Sequence, residues 1–434
     1  MAQFLTELFG IPPQLIPVAR SIAAVWNAIW WIALPLIALS VLWESWKIYL
    51  HWRFVSNLKF KLLEIKVPKN NLKTAKAMEQ IFAAAHAPYS YGIRFWDKYW
   101  KGMEEPWMSF ELVAHEGESH FYLRVPARYR NMMEAAVFSQ YPDAEVTEAE
   151  DYLESMPDML PNKDFTLDGF EEVLRHEDYR PIRTYLSFED PIEERRVETM
   201  GGLLETMSKM RGDERLWYQV ILVPTGEAFQ KEGEKAIAKL LKVETGEEKK
   251  ASFPSLDLGI SLGEALRAPF QHPGEAQLKK ESPQQKMSFI VASHDKERAE
   301  AIQKKIAKIA FNATVRFVYL EQKDAPSKPE YLMAIHGFVR QFNTQDLNSL
   351  KPNSPTTTAG YAVRGLFKQT RLNWRRHLLY EHYRHTLPAH HASVLNVEEL
   401  ATIFHFPIQA TTTSELEKVE SRKGTPPAAL PVIE

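Results

Sequence analysis

The chain has 434 residues, 45% of them hydrophobic and 25% charged, with a formal net charge of −3 at pH 7. Two or three domains are expected at this length, and the near-neutral balance excludes a global pull toward nucleic acid or an anionic bilayer, leaving only local patches. There is no cysteine, which excludes disulfides, thiolate metal centres, iron–sulfur clusters and cysteine nucleophiles and fits a reducing compartment.

Residues 1–20 place Phe4, Leu5, Leu8, Phe9, Ile11, Leu15 and Ile16 around Pro12 and Pro13, and read as an interfacial or disordered N-terminus. Ser21 to Trp43 then runs for 23 residues without a charge, between Arg20 and Glu44. About 20 apolar residues suffice to span a bilayer as a helix, so 21–43 is predicted to be transmembrane. Trp26, Trp30, Trp31, Trp43, Trp46 and Trp52 lie along or just beyond the run, and indole rings favour the headgroup level. The length of the run and the lack of a basic start or small-residue cleavage site argue against a signal peptide. A buried core helix is the alternative. Only Arg20 precedes the run, whereas Lys47, Arg53, Lys59, Lys61, Lys66 and Lys69 follow it. The positive-inside rule therefore predicts an N-terminus outside and a cytoplasmic C-terminal bulk.

Residues 57–150 read as a compact α/β unit. Phe60 to Val67 alternates as a strand, and Asn71 caps a helix carrying Ala75, Met78, Ile81, Phe82 and Ala85 on one face. Met108 to Ala114 and Phe121 to Val125 form strands joined around Gly117. A helix with Tyr129, Met132, Met133, Ala136 and Val137, then a strand from Ala144 to Thr147, complete a β-α-β-β-α-β order, the ferredoxin-like motif. Residues 88–107 form an aromatic connection (Tyr89, Tyr91, Phe95, Trp96, Tyr99, Trp100, Trp107) that rests either on a membrane or partner, or over its own sheet. The acidic stretch 148–178 reads as a connector.

A second ferredoxin-like unit is expected over 179–343. Its elements are a strand at Arg183–Phe188, a helix at Glu194–Met210, a central strand at Leu216–Val223, a strand at Met287–Ala292, a helix at Lys296–Ala310 and a strand at Val315–Leu320. An insertion at 224–284 starts with a helix (Ala228–Leu241) and becomes polar and Pro/Gly-rich. Residues 331–343 are helical, 364–407 form a basic helical segment, and 408–434 a Pro-rich tail. The predicted fold class is thus α+β: a transmembrane helix, two ferredoxin-like units and a basic helical C-terminal segment.

Few residues suggest chemistry. His377, His382, His385, His390 and His391 cluster, but without HExxH and with spacing that turns His377 and His382 off a common face; no metal site is predicted. Arg364, Lys368, Arg371, Trp374, Arg375, Arg376 and Arg384, with Tyr380 and Tyr383, make a basic–aromatic segment opposed only by Glu381. It could contact DNA, anionic lipid or protein. The paired carboxylates Glu104/Glu105, Glu171/Glu172, Glu193/Glu194 and Glu247/Glu248 lack catalytic neighbours and read as solvated surface. No GxSxG, EF-hand or GxxxxGK[ST] pattern occurs; Gly360 and Gly365 have the spacing, but Leu366 follows where lysine is required. No catalytic residue and no cofactor are predicted.

Four phrases, WMSFELVAHEGESHFYLRVP (107–126), FSQYPDAEVTEAEDY (138–152), LNVEELATIFHFP (395–407) and SRKGTPPAALP (421–431), together resemble the N-terminal membrane-anchored region of bacterial ATPases of the HerA/type IV secretion coupling-protein class. The resemblance covers most of the chain from about Trp46. It implies a non-enzymatic anchor in a bacterial plasma membrane, part of a type IV secretion or conjugation-like system, that recruits a separate ATPase and assembles as a ring to match it. A truncated or split fusion is a further possibility. The competing expectation is a membrane-tethered nucleic-acid-binding protein using 364–391.

Overall fold

The structure is a computed structural model and describes residues 16–68, 71–90, 92–189, 197–212, 214–241, 293–323, 329–358, 363 and 365–408. Residues 1–15, the expected strand Met287–Ala292, most of the insertion (242–284), Arg364 and the tail from 409 lie outside it.

Helix α1 (Ile16–Asn57) is one continuous element of 42 residues that contains Pro35, about 63 Å long at 1.5 Å per residue. It is the one helix among the described residues that is long and apolar enough to cross a membrane, and its apolar window is not buried in the protein.

After α1 come β1 (Phe60–Lys66), α2 (Ala75–Ala85), α3 (Phe95–Lys101), β2 (Met108–His115), β3 (Glu118–Pro126), α4 (Arg130–Gln140) and β4 (Glu145–Glu148). There follow β5 (Phe165–Leu174), α5 (Gly201–Ser208), β6 (Arg215–Pro224), α6 (Ala228–Leu240), α7 (Ser293–Ile306), β7 (Ala310–Gln322), α8 (Pro329–Arg340) and β8 (Leu350–Pro352). Last are α9 (Lys368–Arg384), β9 (Ser393–Asn396) and α10 (Val397–Ile403). The result is mixed α and β around one antiparallel sheet. Among the described residues it has nine strands in the order β4-β1-β3-β2-β6-β7-β5-β8, with β9 added to β7. The two halves do not form separate sheets: β2 pairs with β6 from Met108–Leu222 to His115–Arg215.

Alternation along the strands sorts side chains onto two faces. On one, Phe110, Leu112, Leu123, Tyr218, Val220, Val315 and Phe317 form the main core under α2, α5, α8 and α10. On the other, Val113, Trp217, Val318 and Leu320 pack against Leu379, Tyr380 and Tyr383 of α9 and against Leu153, Met156 and Leu160. The β2–β3 hairpin closes through Glu116 and Gly117 alone, both at positive φ, as a type I′ turn demands.

Four expectations about the elements need correction. The connector 148–178 contains β5, which pairs with both β7 and β8. Its Asp168-Gly169 pair resembles a turn, but a Cβ on Gly169 would lie 2.2 Å from the Phe317 carbonyl oxygen and 3.0 Å from Leu379 Cδ2, so the glycine is required by close packing instead. Arg183–Phe188 is not a strand but holds a 3-10 turn, Tyr185–Ser187. Its backbone groups bond outward, with Ile182 N–H donating to Glu399 Oε1 and Tyr185 N–H to Thr402 Oγ1, so no sheet ladder can form. Asn71 does not cap α2; Thr74 holds that position, while Asn71 Nδ2 donates to the Pro407 carbonyl. The helix expected over Glu194–Met210 is also shorter, at Gly201–Ser208.

Glu171 and Glu172, expected on the solvated surface, are both buried on β5; Glu171 is held by Arg316, whereas neither carboxylate oxygen of Glu172 finds a hydrogen-bond partner. Burial pushes its pKa up to about 8. The folded protein therefore binds a proton there that the unfolded chain releases above about pH 4.5. Stability should fall by roughly 1.4 kcal/mol per pH unit between the two values and level off above the upper one. Glu172→Gln should remove that slope and raise the melting temperature at pH 8 but not at pH 4; an unchanged pH profile in thermal unfolding would contradict this.

Candidate membrane interface and basic helix

The uncharged run of α1 ends at Trp43, and α3, with the sequence FWDKYWK, docks at that level. Trp43 stacks on Tyr99 with ring centroids 5.6 Å apart, and Trp46 Nε1–H donates to the Tyr99 carbonyl at 3.0 Å. One turn further, Gly102 (φ +68) lies so close to α1 that a Cβ would sit 2.9 Å from the Leu50 carbonyl oxygen. His51 Nδ1 meets Glu104 Oε1 at 2.8 Å. Trp107 is buried beside Phe54 and Phe60, tying the end of α1 to the start of the sheet.

With Tyr99 turned toward α1, the remaining rings of α3 face outward. Phe95, Trp96 and Trp100 are 61%, 65% and 59% exposed, and no residue of α3 is buried. Within the aromatic connection, α3 is thus packed against α1, while Trp107 packs at the start of the sheet. Trp26, Trp30, Trp31, Trp43, Trp46 and Trp52 are all exposed along α1. Trp52 meets His385, just after α9, edge-on at 6.4 Å.

The basic helix α9 is divided. Arg376 makes three hydrogen bonds of 2.9–3.2 Å to the Asp168 carboxylate. Arg375 Nη1 donates to the carbonyls of Ser354 and Thr357. Arg384 donates to the Pro157 carbonyl and to Asp158 Oδ1. These three arginines hold α9 on the body. Lys368, Arg371 and Trp374 are exposed at its N-terminal half, beside exposed Leu366 and Phe367; Arg364 lies outside the described residues. Burial and the Arg316 guanidinium push the His382 pKa below the ordinary histidine range. Among the described residues no group of three histidine or carboxylate side chains is placed to hold a metal.

Sequence reading missed the polar groups beneath α9. Glu64, Tyr122, Glu111, Gln219, Arg316 and Glu171 stand in register across six strands, β1-β3-β2-β6-β7-β5. Glu111 accepts from Ser109, Arg124, Tyr152 and Gln219. Arg124 also reaches Asp151 at 2.6 Å. Tyr152 and Tyr383 hydroxyls meet at 2.7 Å, and burial, then the Glu111 charge, raises the pKa of both. The signal was available: one arginine in TVRFVYL and one glutamine in LWYQVILV interrupt otherwise apolar strands. Such groups must be buried and therefore partnered.

Outside this sealed layer, Asp178, Lys351, Asn353, Ser354 and His391 help line a cavity of about 470 Å³ beside β8. Burial raises the Asp178 pKa.

Residues 56–418 match the family described as a domain of unknown function, DUF8128, and the chain belongs to that family. No curated protein matches it.

The division of α9 gives a stability test. Arg376→Ala should cost about 2 kcal/mol in thermal or denaturant unfolding, the scale of a charged hydrogen-bonded group losing its partner. Lys368→Ala should stay within about 0.5 kcal/mol. Equal effects would mean that Arg376 does not hold the helix down.

Proposed function

We propose that the protein is a single-pass anchor of a bacterial plasma membrane, N-terminus outside, whose cytoplasmic body is a docking platform without catalytic chemistry. The carrying observation is α1: it holds an uncharged run of 23 residues, is not buried by the protein over its apolar window from Trp26, and is separated from β1 by two residues. The run of Lys47, Arg53, Lys59, Lys61 and Lys66 after the span supports the orientation.

The body reads as two ferredoxin-like units joined edge to edge. In chain order, β1, β2, β3 and β4 of the first half correspond to β5, β6, β7 and β8 of the second. The sheet order β4-β1-β3-β2 then repeats in reverse as β6-β7-β5-β8, with helices α2 and α4 answered by α5 and α8. Such a duplicated platform suits protein–protein docking. The partner class comes from the resemblance of residues 107–126, 138–152, 395–407 and 421–431: a separate HerA/type IV secretion-like ATPase, which a ring of these anchors would organise.

The nucleic-acid reading is weaker, because Arg375, Arg376 and Arg384 are engaged within the chain. What favours it is the exposed pair Lys368 and Trp374. Affinity purification of the full-length protein from its native membrane in mild detergent, with mass spectrometry of what is retained, decides between them. An ATPase carrying a phosphate-binding loop should co-purify. Recovery of the protein alone, or with DNA and no ATPase, would overturn the assembly reading.

A further inference from the structure

We infer that α3 is a second membrane contact, lying in the headgroup layer beside the point where α1 leaves the hydrocarbon. This rests on the reading of α1 as a membrane span. The argument is positional. Trp43 is the last residue of the uncharged run, and it is the residue that stacks on Tyr99 of α3. Whatever depth Trp43 occupies, α3 shares.

The chemistry of α3 suits that depth. Its outward side carries Phe95, Trp96 and Trp100, with exposed Met103 just beyond, and these would be a costly surface in water. Phe95 packs on Tyr99 at 4.7 Å and Trp96 on Trp100 edge-on at 5.2 Å, so the rings form one continuous patch. Exposed Arg94, Lys98 and Lys101 are interleaved with them, while Asp97 is paired with Lys101. Aromatic rings flanked by cations are what the interface of a bilayer with anionic headgroups accepts.

The clasp is also built to be stiff. The α1–α3 contact uses a ring stack, a hydrogen bond from Trp46, the close approach at Gly102 and the His51–Glu104 contact. Two contacts with one bilayer, α1 through it and α3 along it, fix the tilt of the sheet, which a single helix would leave free.

The absence of native cysteine permits a direct test. Single cysteines replace Ile37, Trp96 and Met333 in turn, the last exposed on α8, and each carries a nitroxide. The full-length protein is placed in vesicles of phosphatidylcholine and phosphatidylglycerol, and collision with oxygen and with a water-soluble nickel chelate is read by electron paramagnetic resonance. The expected order has Ile37 oxygen-dominated, Met333 nickel-dominated and Trp96 between them, with nickel access several-fold below that of Met333 and appreciable oxygen access. A label replacing Met103 should repeat the Trp96 result if the first substitution disturbs the patch. Nickel access at Trp96 equal to that at Met333, with Ile37 in the hydrocarbon, overturns the inference and leaves the anchor intact. Low access to both reagents at Trp96 would place α3 against protein and also overturns it. An aqueous Ile37 overturns the anchor reading itself.

Discussion

The Arg316 guanidinium sits in the middle of the sheet with no exposure to solvent, and all five of its N–H donors are used. Nε and Nη2 donate to Glu171 Oε1 at 3.0 and 2.6 Å. Nη1 donates to Gln219 Oε1 and to the His382 carbonyl, and Nη2 also to the Leu387 carbonyl. One side chain thus links β7, β5, β6, the last turn of α9 and the loop after it. A buried charge left without these partners would cost roughly 3–5 kcal/mol, so the position of α9 follows from that of Arg316. Gln219 passes the connection to Glu111 across the β2–β6 junction; Glu111 accepts from Arg124, which in turn donates to Asp151. One hydrogen bond, from Gln219 Nε2 to Glu111 Oε1, carries the polar row across the seam between the halves.

That seam joins the two halves of the chain in one sheet. Apolar packing alone along β2 and β6 would tolerate sliding by two residues, because side-chain facing repeats with that period. A slip of β6 against β2 would move Gln219 away from Glu111, leaving buried polar groups unpaired. The polar row therefore sets register as well as holding α9. The same rigidity reaches α1, since Trp107, immediately before β2, packs on Phe54 near its end.

Local signals made the first half legible. Strand alternation, the Glu116-Gly117 turn and the apolar face of α2 are all encoded within a few residues of one another. The second half was less so. Phe165–Leu174 reads Asp-Gly-Phe-Glu-Glu, which looks solvated until Arg316, far along the chain, supplies the partner for Glu171. Arg183–Phe188 has strand-like composition, but its Tyr185 amide is taken by Thr402 of α10, its Arg183 amide by the Phe342 carbonyl, and the rest closes a local turn. In the candidate interface, the tryptophans of α1 and the aromatic run at 95–100 were visible as composition. Their contact was not, because it depends on Leu50 and Gly102 meeting across distant sequence. The arginines of α9 were misleading for the same reason: the partners Asp168, Asp158 and Thr357 lie outside their own segment.

Hydrogen exchange of the full-length protein in detergent or vesicles, read by mass spectrometry, tests the central claim that the seam makes the two halves one body. The account predicts that β2, β6 and β7 share one high level of protection and lose it together as denaturant is raised. Loss of protection in β2 and β3 while β6 and β7 remain closed would show two independently opening halves and would contradict it.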